Sequence, residues 1–308
     1  MMISVAMATY NGEKYIYKQL ESIVRQTYIP DEVVIIDDCS TDNTYNFILN
    51  YVRQEKTISW RIQQNSKNEG YIRTFIKAID SCVGDIIVLS DQDDLWKSTK
   101  LDKIVKIFNN TSVLSLHCDI DIIDQNDDII TKNVIGYKKR LEKYTIQKFV
   151  HRLNYCGMSS AFRSCLVKDL LSIDISKLFT HDWTIHALAV CKDGFYTSSE
   201  VMACRRYHTD NVALTVGKTR RKKIEQRINI VQEYYDYYLL LEKMYNEYGL
   251  CNENELIFLG KVVDANYTRL EYLSNKNFLK AVVNLKYLKY YPTWKAYVSD
   301  WLYLIGVF

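Results

Sequence analysis

Apolar segments of strand length alternate with segments of helical periodicity through the first 90 residues, and this alternation constrains the fold more than any other feature of the chain. The predicted strands are residues 3–8, 33–36, 58–65 and 85–90, and the predicted helices between them are residues 13–26, 42–54 and 70–82. Apolar strands separated by helices are typical of a parallel sheet that is covered on both faces. The sequence therefore predicts an α/β fold.

Three of the predicted strands run directly into groups of polar residues. Tyr10 and Asn11 follow the first strand, Asp37 and Asp38 end the second, and the stretch SDQDDLW, residues 90–96, ends the fourth. Ligands of a parallel sheet bind beyond the carboxyl ends of its strands. The three polar groups therefore predict one ligand site.

The stretch SDQDDLW carries three carboxylates within four residues, and such a concentration of negative charge calls for a cation. Asp91 and Asp93 are two residues apart, so in an extended chain their side chains point to the same side. Carboxylates suit Mg²⁺ or Mn²⁺, which usually bridge one or two of them to the phosphates of a substrate. These residues favour a divalent cation that arrives with a diphosphate, and a capped turn with solvated acids is the alternative.

The rest of the chain has a weaker pattern. We predict a helix at about 98–109, strand-like runs at 113–118 and 120–124, a helix that starts after the HDW triplet and ends at Cys191, and a strand at 195–208. Composition changes near residue 217, where the basic run KTRRKK at 218–223 precedes a helical pattern with 13 of the 25 tyrosines. Residues 217–308 are predicted to be a helical region. It either associates with a membrane surface or packs on the catalytic domain or on a second subunit of a homodimer.

Composition also excludes several classes of protein. The 308 residues have a net charge of only +3, which is too mild for a nucleic-acid-binding protein. The eight cysteines form no CxxC pair, so we expect reduced thiols in a cytoplasmic protein and no zinc cluster. We find no signal peptide and no apolar run of membrane-spanning length, which predicts a soluble or peripheral protein.

Four segments, VAMATYNG, VVIIDDCSTDNT, NEGYIRTF and GDIIVLSDQDDLW, occur in an order and spacing that resemble the family 2 glycosyltransferases with the GT-A fold. With HDW at 181–183 they are similar to the bacterial polysaccharide branch that includes rhamnosyltransferases. The resemblance covers about residues 2–216. It implies a catalytic domain at 1–216, with a nucleotide-sugar half at about 1–97 and an acceptor half at about 98–216.

The resemblance also implies an inverting transfer from a dTDP- or UDP-sugar to a saccharide or lipid-linked acceptor, with Mn²⁺ or Mg²⁺ as cofactor. The nucleotide-sugar contacts that it implies are Ala8, Tyr10, Asp38, Asp91, Gln92, Arg206 and His208. Tyr10 would stack near the nucleobase, and Asp38 would accept the imide N3–H of uracil or thymine. For Asp38 the alternative is capping of the next helix together with Ser40. Asp91 would hold the ribose or the metal shell, and Asp93 would bind the metal directly.

The second half resembles the family at two further places. RRYHTDN at 205–211 is similar to the family segment R-x-H-x-x-N, which implies that Arg206 and His208 face the diphosphate or the metal. Arg205 stands where an aromatic or apolar residue is expected, so it stays open which arginine points inward. A basic surface cluster is the alternative.

Asp182 matches the acidic residue that faces the acceptor and would act as general base, with a simple helix N-cap as the alternative. Trp96, His181 and Trp183 are expected on the acceptor side, and Trp96 would otherwise pack beneath the metal loop. His117 has no role that the resemblance supplies, and packing is expected for it.

Two other function classes were weighed. A haloacid-dehalogenase-type phosphohydrolase needs an aspartate nucleophile after its first strand, where this chain has Ala8, Thr9 and Tyr10. A catalytically inactive nucleotide-sugar-binding partner remains the alternative, although the presence of both Asp93 and Asp182 argues against it. The expected location is the cytoplasm, with peripheral binding to the inner face of the membrane left open.

Overall fold

The chain divides into two units in a computed structural model that describes residues 1–152, 155–207, 226–250 and 252–306. The first unit comprises residues 1–144, 154–189 and 194–208, and the second comprises residues 145–153, 190–193 and 209–308. The predicted boundary near residue 217 and the basic run at 218–223 lie outside the described residues.

Within the described residues, the first unit is built on one ten-stranded sheet. Its strands are β1 Ile3–Thr9, β2 Glu32–Asp37, β3 Ser59–Gln64, β4 Ile86–Ser90, β5 Leu95–Trp96, β6 Ser115–Ile123, β7 Ile129–Thr131, β8 Glu142–Lys143, β9 Ser160–Arg163 and β10 Phe195–Arg206. Their order is β3-β2-β1-β4-β9-β6-β10-β5, with β7 beside β6 and β8 beside β10.

The first four strands form the parallel half of the sheet, as the sequence predicts. β1 lies between β2 and β4 and is parallel to both, and β3 is parallel to β2. Every residue of β2 and β4 is buried, which explains why these strands are apolar without alternation. Thr9 pairs with Asp37, and Met7 pairs with Ser90, so the polar segments after the three strands begin at one edge.

The second half of the sheet is mixed. β9 runs antiparallel between β4 and β6, and β10 is parallel to β6. The strand-like runs at 113–118 and 120–124 form a single strand, β6, and β9 falls in a segment where the sequence gives no strand signal. The α/β class is therefore confirmed, while the antiparallel insertion is not predicted.

The helices are α1 Ile16–Val24, α2 Thr44–Gln54, α3 Tyr71–Asp80, α4 Lys100–Phe108, α5 Ile146–Phe149, α6 Val167–Ser172, α7 His181–Cys191, α8 Arg227–Tyr248, α9 Glu253–Ser274, α10 Phe278–Val283 and α11 Trp294–Leu304. α7 begins at His181, three residues earlier than the sequence predicts. All its residues are buried, and a helix that is buried on every side has no amphipathic stripe from which its start can be read.

Helices α8 to α11 of the second unit surround a buried acidic group. Asp300 of α11 is fully buried and accepts hydrogen bonds from Arg227 Nε at 2.5 Å, Arg269 Nε at 3.0 Å and the Tyr272 hydroxyl at 2.5 Å. Burial alone would raise the pKa of Asp300, but Arg269 and Arg227 hold it below its ordinary value. A charge so paired joins α8, α9 and α11 into one network.

Among the described residues, no helix is both long enough and apolar enough to cross a membrane.

Candidate active site

The end of β1 is joined to the acidic turn by the side-chain amide of Gln92. Its Oε1 accepts a hydrogen bond from Tyr10 N and its Nε2 donates one to Tyr10 O, both at 2.8 Å. A Cβ at Gly12 would lie 2.3 Å from Gln92 Oε1, so any larger residue there would displace the Gln92 amide. The Tyr10 side chain is 43% exposed, which leaves its ring accessible to a ligand.

Asp37 and Asp38 end β2 and hold different loops. Asp37 accepts hydrogen bonds from Ser40 N at 2.9 Å and Ser40 Oγ at 2.6 Å, so Asp37 and not Asp38 makes the turn with Ser40. Asp38 accepts hydrogen bonds of 2.8 Å from Asn65 Nδ2 and from the backbone amides of Glu69 and Gly70. Burial alone would raise the pKa of Asp38, but these bonds hold it below its ordinary value.

Asp38 is therefore an ionised carboxylate that also shapes the turn before α3. It is 3% exposed, and with these three hydrogen bonds and that of the Thr74 side chain most of the roughly four acceptor positions of a carboxylate are taken. At most one position is left for a nucleobase.

The acidic turn after β4 is short of positive charge. Burial, followed by the charge of Asp93, raises the pKa of Asp91 to about 7. Burial and the charges of Asp93 and Asp91 raise the pKa of Asp94 well above its ordinary value, although Asp94 Oδ1 accepts a 2.9 Å hydrogen bond from a backbone amide of β10. Arg205 and Lys100 oppose these shifts without cancelling them. A further cation at this turn would therefore be stabilised.

Asp91 and Asp93 fit a hard divalent cation. Both supply carboxylate oxygens, the ligands that Mg²⁺ and Mn²⁺ prefer. Among the described residues, His, Cys, Asp and Glu do not form a group of three or more that would enclose a metal ion. Such an open donor set suits a cation whose shell is completed by phosphate oxygens and water.

The buried side chain of Arg206 bonds to the loops around the acidic turn. Its side chain is fully buried, with Nε donating to Asp93 O at 3.0 Å, Nη1 donating to Asp124 O at 2.8 Å, and an ion pair to Asp127 at 2.5 Å. The guanidinium also lies 4.6 Å from the centre of the Tyr15 ring. Nε and Nη1 therefore serve these loops, and the contact of Arg206 with a diphosphate stays a prediction.

Arg205 is the arginine whose charge acts on the acidic turn. It is half-buried, and burial alone would lower the pKa of its guanidinium. The Cys156 thiol, followed by the carboxylates Asp94, Asp91 and Asp93, instead raises this pKa above its ordinary value. The sequence reasoning left the choice between the two arginines open. Charge favours Arg205 as the one that acts on the candidate metal site.

Trp96 and Lys100 lie beneath the acidic turn. Trp96 is 5% exposed and belongs to the hydrophobic core, so of its two predicted positions it takes the one under the loop. Lys100 Nζ lies 3.7 Å from the centre of the Trp96 ring and donates a 2.6 Å hydrogen bond to Met158 O. Burial lowers the pKa of Lys100 to about 7.

Asp182 lies in the first turn of α7 and is buried. Its Oδ1 accepts hydrogen bonds from Thr180 Oγ1 and, at 2.8 Å, from Trp183 N. Its Oδ2 lies on the side of Gly157, 3.8 Å from the position of a Cβ there. Asp182 thus lies at the start of the helix, with Oδ1 bonded to the first turn. Its other oxygen, Oδ2, is directed towards Gly157.

His181 and Trp183 flank Asp182 and are buried as well. The His181 ring stacks on Phe75 with centroids 4.1 Å apart, and Tyr71 meets it edge-on at 6.2 Å. Among the described residues neither ring nitrogen of His181 has a hydrogen-bond partner, and burial lowers its pKa. Trp183 is fully buried, so its ring packs in the core. Its contact with an acceptor stays a prediction.

His117 supports the segment beside Asp182, a role that the sequence reasoning missed. Its Nε2 accepts a 3.0 Å hydrogen bond from Cys156 N and lies 2.8 Å from Ser159 Oγ, while Nδ1 lies 2.8 Å from the Tyr137 hydroxyl. Because Nε2 accepts, the proton is on Nδ1. His117 thereby fixes the turn at Gly157, and only the nonlocal pairing of β6 with β9 could have revealed this.

Two predicted contacts remain. Ala8 is half-buried on β1, opposite Ile36, within the edge where the candidate site lies. His208 lies outside the described residues.

Residues 4–171, more than half of the chain, match the family described as Glycosyl transferase family 2. An uncharacterized glycosyltransferase of Nostoc sp. is 34% identical over 130 residues, which are 42% of this chain and 40% of that protein. The dTDP-rhamnosyl transferase RfbG of Shigella flexneri is 27% identical over 223 residues, covering 67% of this chain and 72% of that protein.

Solved structures share the fold. S. aureus TarS in complex with UDP-GlcNAc has a TM-score of 0.62 at 18% identity, covering 99% of this chain and 92% of that chain. The mannosyltransferase PcManGT from Pyrobaculum calidifontis, in complex with GDP-Man and Mn²⁺, has a TM-score of 0.54 at 18% identity, covering 99% and 85%. These structures share the GT-A fold, and the match over residues 4–171 shows that the chain belongs to glycosyl transferase family 2.

Proposed function

We propose that this protein is an inverting, metal-dependent glycosyltransferase that moves a sugar from a dTDP- or UDP-sugar to a saccharide or lipid-linked acceptor during synthesis of a bacterial capsule, O-antigen or cell-wall polysaccharide. One observation carries the proposal: the segment that holds Asp182 lies against the strand that leads to the acidic turn. A Cβ at Gly157 would lie 3.8 Å from Asp182 Oδ2 and 3.8 Å from Leu89 Cδ1, and Leu89 is two residues before Asp91. A diphosphate site beside a carboxylate base is what sugar transfer requires.

In this proposal the acidic turn holds the donor. Asp93 and Asp91 bind the divalent cation, which when bound supplies Lewis-acid stabilisation of the departing diphosphate. Arg205 adds a guanidinium on the same side, and such a group pairs well with phosphate oxygens. Gln92 bonds the acidic turn to the backbone of Tyr10. This contact holds the residue whose ring would stack on the nucleobase next to the carboxylates.

Asp182 is the proposed general base. Its Oδ1 is held by Thr180 and Trp183 N, which leaves Oδ2 for the proton of the acceptor hydroxyl. As that proton passes to Oδ2, the acceptor oxygen forms a bond to the anomeric carbon and the bond from that carbon to the diphosphate oxygen breaks. Attack from the face opposite the leaving group inverts the configuration of the sugar.

The choice of dTDP or UDP rests on the imide edge that thymine and uracil share. The hydrogen bonds that Asp38 accepts keep it ionised, and a carboxylate can accept the N3–H of either base, which cytosine lacks. Two relatives support this choice, since the Shigella flexneri protein is named a dTDP-rhamnosyl transferase and TarS was crystallised with UDP-GlcNAc, whereas PcManGT was crystallised with GDP-Man. dTDP-rhamnose is therefore the first donor to test.

A nucleotide-release assay tests the proposal without a known acceptor, because water can slowly replace the acceptor hydroxyl. The protein with Mn²⁺ is incubated with dTDP-rhamnose, UDP-glucose, UDP-GlcNAc and GDP-mannose, and free nucleotide is measured. We expect release from one dTDP- or UDP-sugar and not from GDP-mannose. Asp182→Asn should lower release on the order of a hundredfold or more, the range of general-base catalysis, while donor binding measured by calorimetry is unchanged.

Asp80→Asn is the matched control, because Asp80 is an exposed carboxylate at the end of α3. It should release nucleotide at the wild-type rate. Release that is equal in wild type and Asp182→Asn would refute the assignment of the base. Binding of dTDP or UDP without release from any donor, even with a mixture of oligosaccharide acceptors, would instead favour an inactive nucleotide-sugar-binding partner.

A further inference from the structure

Helix α10 in the second unit turns its apolar residues towards solvent. Leu279, Val282 and Val283 lie at positions i, i+3 and i+4 of the helix and are 81%, 49% and 60% exposed. The residue that faces inward is the small Ala281, which is fully buried. This is the reverse of the usual arrangement, in which the apolar stripe of a helix faces the core.

The exposed apolar surface continues from α10 onto α11. The Phe278 ring lies 6.1 Å from the Trp301 ring, and the Tyr297 hydroxyl donates a 3.2 Å hydrogen bond to Ala281 O, so the two helices are neighbours. We call the following set the C-terminal apolar surface: Phe278, Leu279, Val282, Val283, Leu285, Trp294, Val298 and Ile305, each more than 40% exposed. Contiguous exposed apolar residues of this extent mark an interaction site.

The segment that carries this surface is strongly basic. Residues 276–306 contain five lysines and a single acidic residue, Asp300. Asp300 is fully buried and bonded to two arginines, so it presents no negative charge to solvent. Lys276, Lys286, Lys289 and Lys295 are exposed, whereas Lys280 pairs with Glu271.

This combination selects among the possible occupants. A second copy of the chain, docked symmetrically, would place lysines opposite lysines, and like charges across an interface oppose association. Nucleic acid would satisfy the lysines but leave the valines and leucines without an apolar partner. An anionic lipid surface satisfies both, because headgroups attract the lysines and the acyl boundary receives the apolar side chains.

We propose that the C-terminal apolar surface lies on an anionic membrane, with α10 and α11 in the plane of the interface. Trp294 and Trp301 suit this position, since indole rings favour the boundary between headgroups and acyl chains. The inference rests on the second unit alone and does not depend on the transfer reaction. A surface held on the bilayer would nevertheless raise the encounter rate with a lipid-linked acceptor.

Vesicle flotation of the full-length chain tests this inference, with vesicles of phosphatidylcholine alone and vesicles that also contain phosphatidylglycerol. We expect flotation with the anionic vesicles that weakens as salt is added. The double variant Leu279→Gln/Val283→Gln should lower the partition constant on the order of tenfold, because it removes apolar contacts. Lys286→Gln/Lys289→Gln should lower it by about fivefold for each lysine.

The matched controls are Val83→Gln, whose valine is 64% exposed in the first unit, and Lys56→Gln, whose lysine is exposed there. Both should float as the wild type does, and all variants should keep the wild-type thermal midpoint because every altered side chain is exposed. No flotation on anionic vesicles, or flotation that the Leu279 and Val283 changes leave intact, would overturn the proposal. A dimer in sedimentation velocity that those two changes abolish, without flotation, would overturn it in favour of a second copy.

Discussion

Arg205 and Arg206 are neighbours at the end of β10, yet their guanidinium groups act on different parts of the site. Arg206 is fully buried, bonds to the carbonyls of Asp93 and Asp124 and pairs with Asp127. Arg205 is half-buried and interacts with the carboxylates of the acidic turn. Successive residues of a strand point to opposite sides, so one arginine can support the turn from behind while the other faces its ligand.

Replacing the two arginines should therefore have different effects. Arg205→Gln should weaken binding of UDP or dTDP with Mn²⁺ by roughly tenfold to a hundredfold, because a hydrogen bond to a charged group contributes about 1.5–3 kcal/mol. Arg206→Gln should lower the free energy of unfolding by about 1–3 kcal/mol, since the carbonyls of Asp93 and Asp124 lose their buried donor. Calorimetry measures the first effect and urea unfolding the second. Nucleotide binding that Arg205→Gln leaves unchanged would remove Arg205 from the donor site.

The contact between Gly12 and Gln92 predicts a coupled pair of substitutions. Gly12→Ala should cost about 1–2 kcal/mol of unfolding free energy, because the new methyl group displaces the Gln92 amide and breaks its two hydrogen bonds to Tyr10. In a Gln92→Ala background the same substitution should cost much less. Urea unfolding of the four proteins of this cycle measures the coupling. Additive effects would mean that the amide does not carry the cost.

His186 predicts a pH dependence of stability. It is fully buried between Ser160 Oγ at 2.9 Å and Ser115 Oγ at 3.1 Å, and burial, followed by the charge of His181, lowers its pKa to about 3. In the unfolded chain His186 takes up a proton near pH 6.5, whereas in the folded protein it stays neutral down to about pH 3. The free energy of unfolding should therefore be highest above pH 6.5 and fall with the pH below it, by about 1.4 kcal/mol per pH unit.

His186→Gln keeps a donor and an acceptor for the two serines but cannot take up a proton. Its unfolding free energy should therefore fall less steeply than that of the wild type between about pH 6 and pH 4. Urea unfolding at several pH values measures both slopes. Equal slopes would show that His186 is protonated in the folded protein.

The ion pairs of Asp300 predict that the protein loses stability when the charge of this residue is removed. Asp300→Asn should lower the free energy of unfolding by about 3–5 kcal/mol, because Arg227 and Arg269 would stay buried with their anionic partner removed. Asp236→Asn, at an exposed position on α8, should change it by less than about 0.5 kcal/mol. Urea unfolding followed by circular dichroism measures the change for both variants. Equal stability of the two variants would contradict the role of the network.

The parallel half of the sheet was predictable because β1, β2 and β4 are apolar and are separated by periodic helices. The same reasoning placed Tyr10, Asp38 and Asp91 at one edge, since parallel strands end together. β9 was not predictable, because it is only four residues long and its neighbours β4 and β6 are distant in sequence.

The choice between Arg205 and Arg206 also exceeded the sequence. β10 has register shifts between Ser198 and Val201 and between Val201 and Ala203, and each shift interrupts the regular alternation of faces. The orientation of an arginine beyond them cannot be counted from the start of the strand. The support that His117 gives to Gly157 is likewise a contact between segments that only the folded sheet brings together.

The central claim is that the acidic turn binds a nucleoside diphosphate through a divalent cation, and calorimetric titration tests it most directly. UDP and dTDP are titrated into wild type and Asp93→Ala with Mn²⁺ and with chelator, and Asp80→Asn serves as the control. The account predicts binding by wild type and the control only when Mn²⁺ is present, and its loss in Asp93→Ala. Binding that is equally tight with chelator, or in Asp93→Ala, would contradict it.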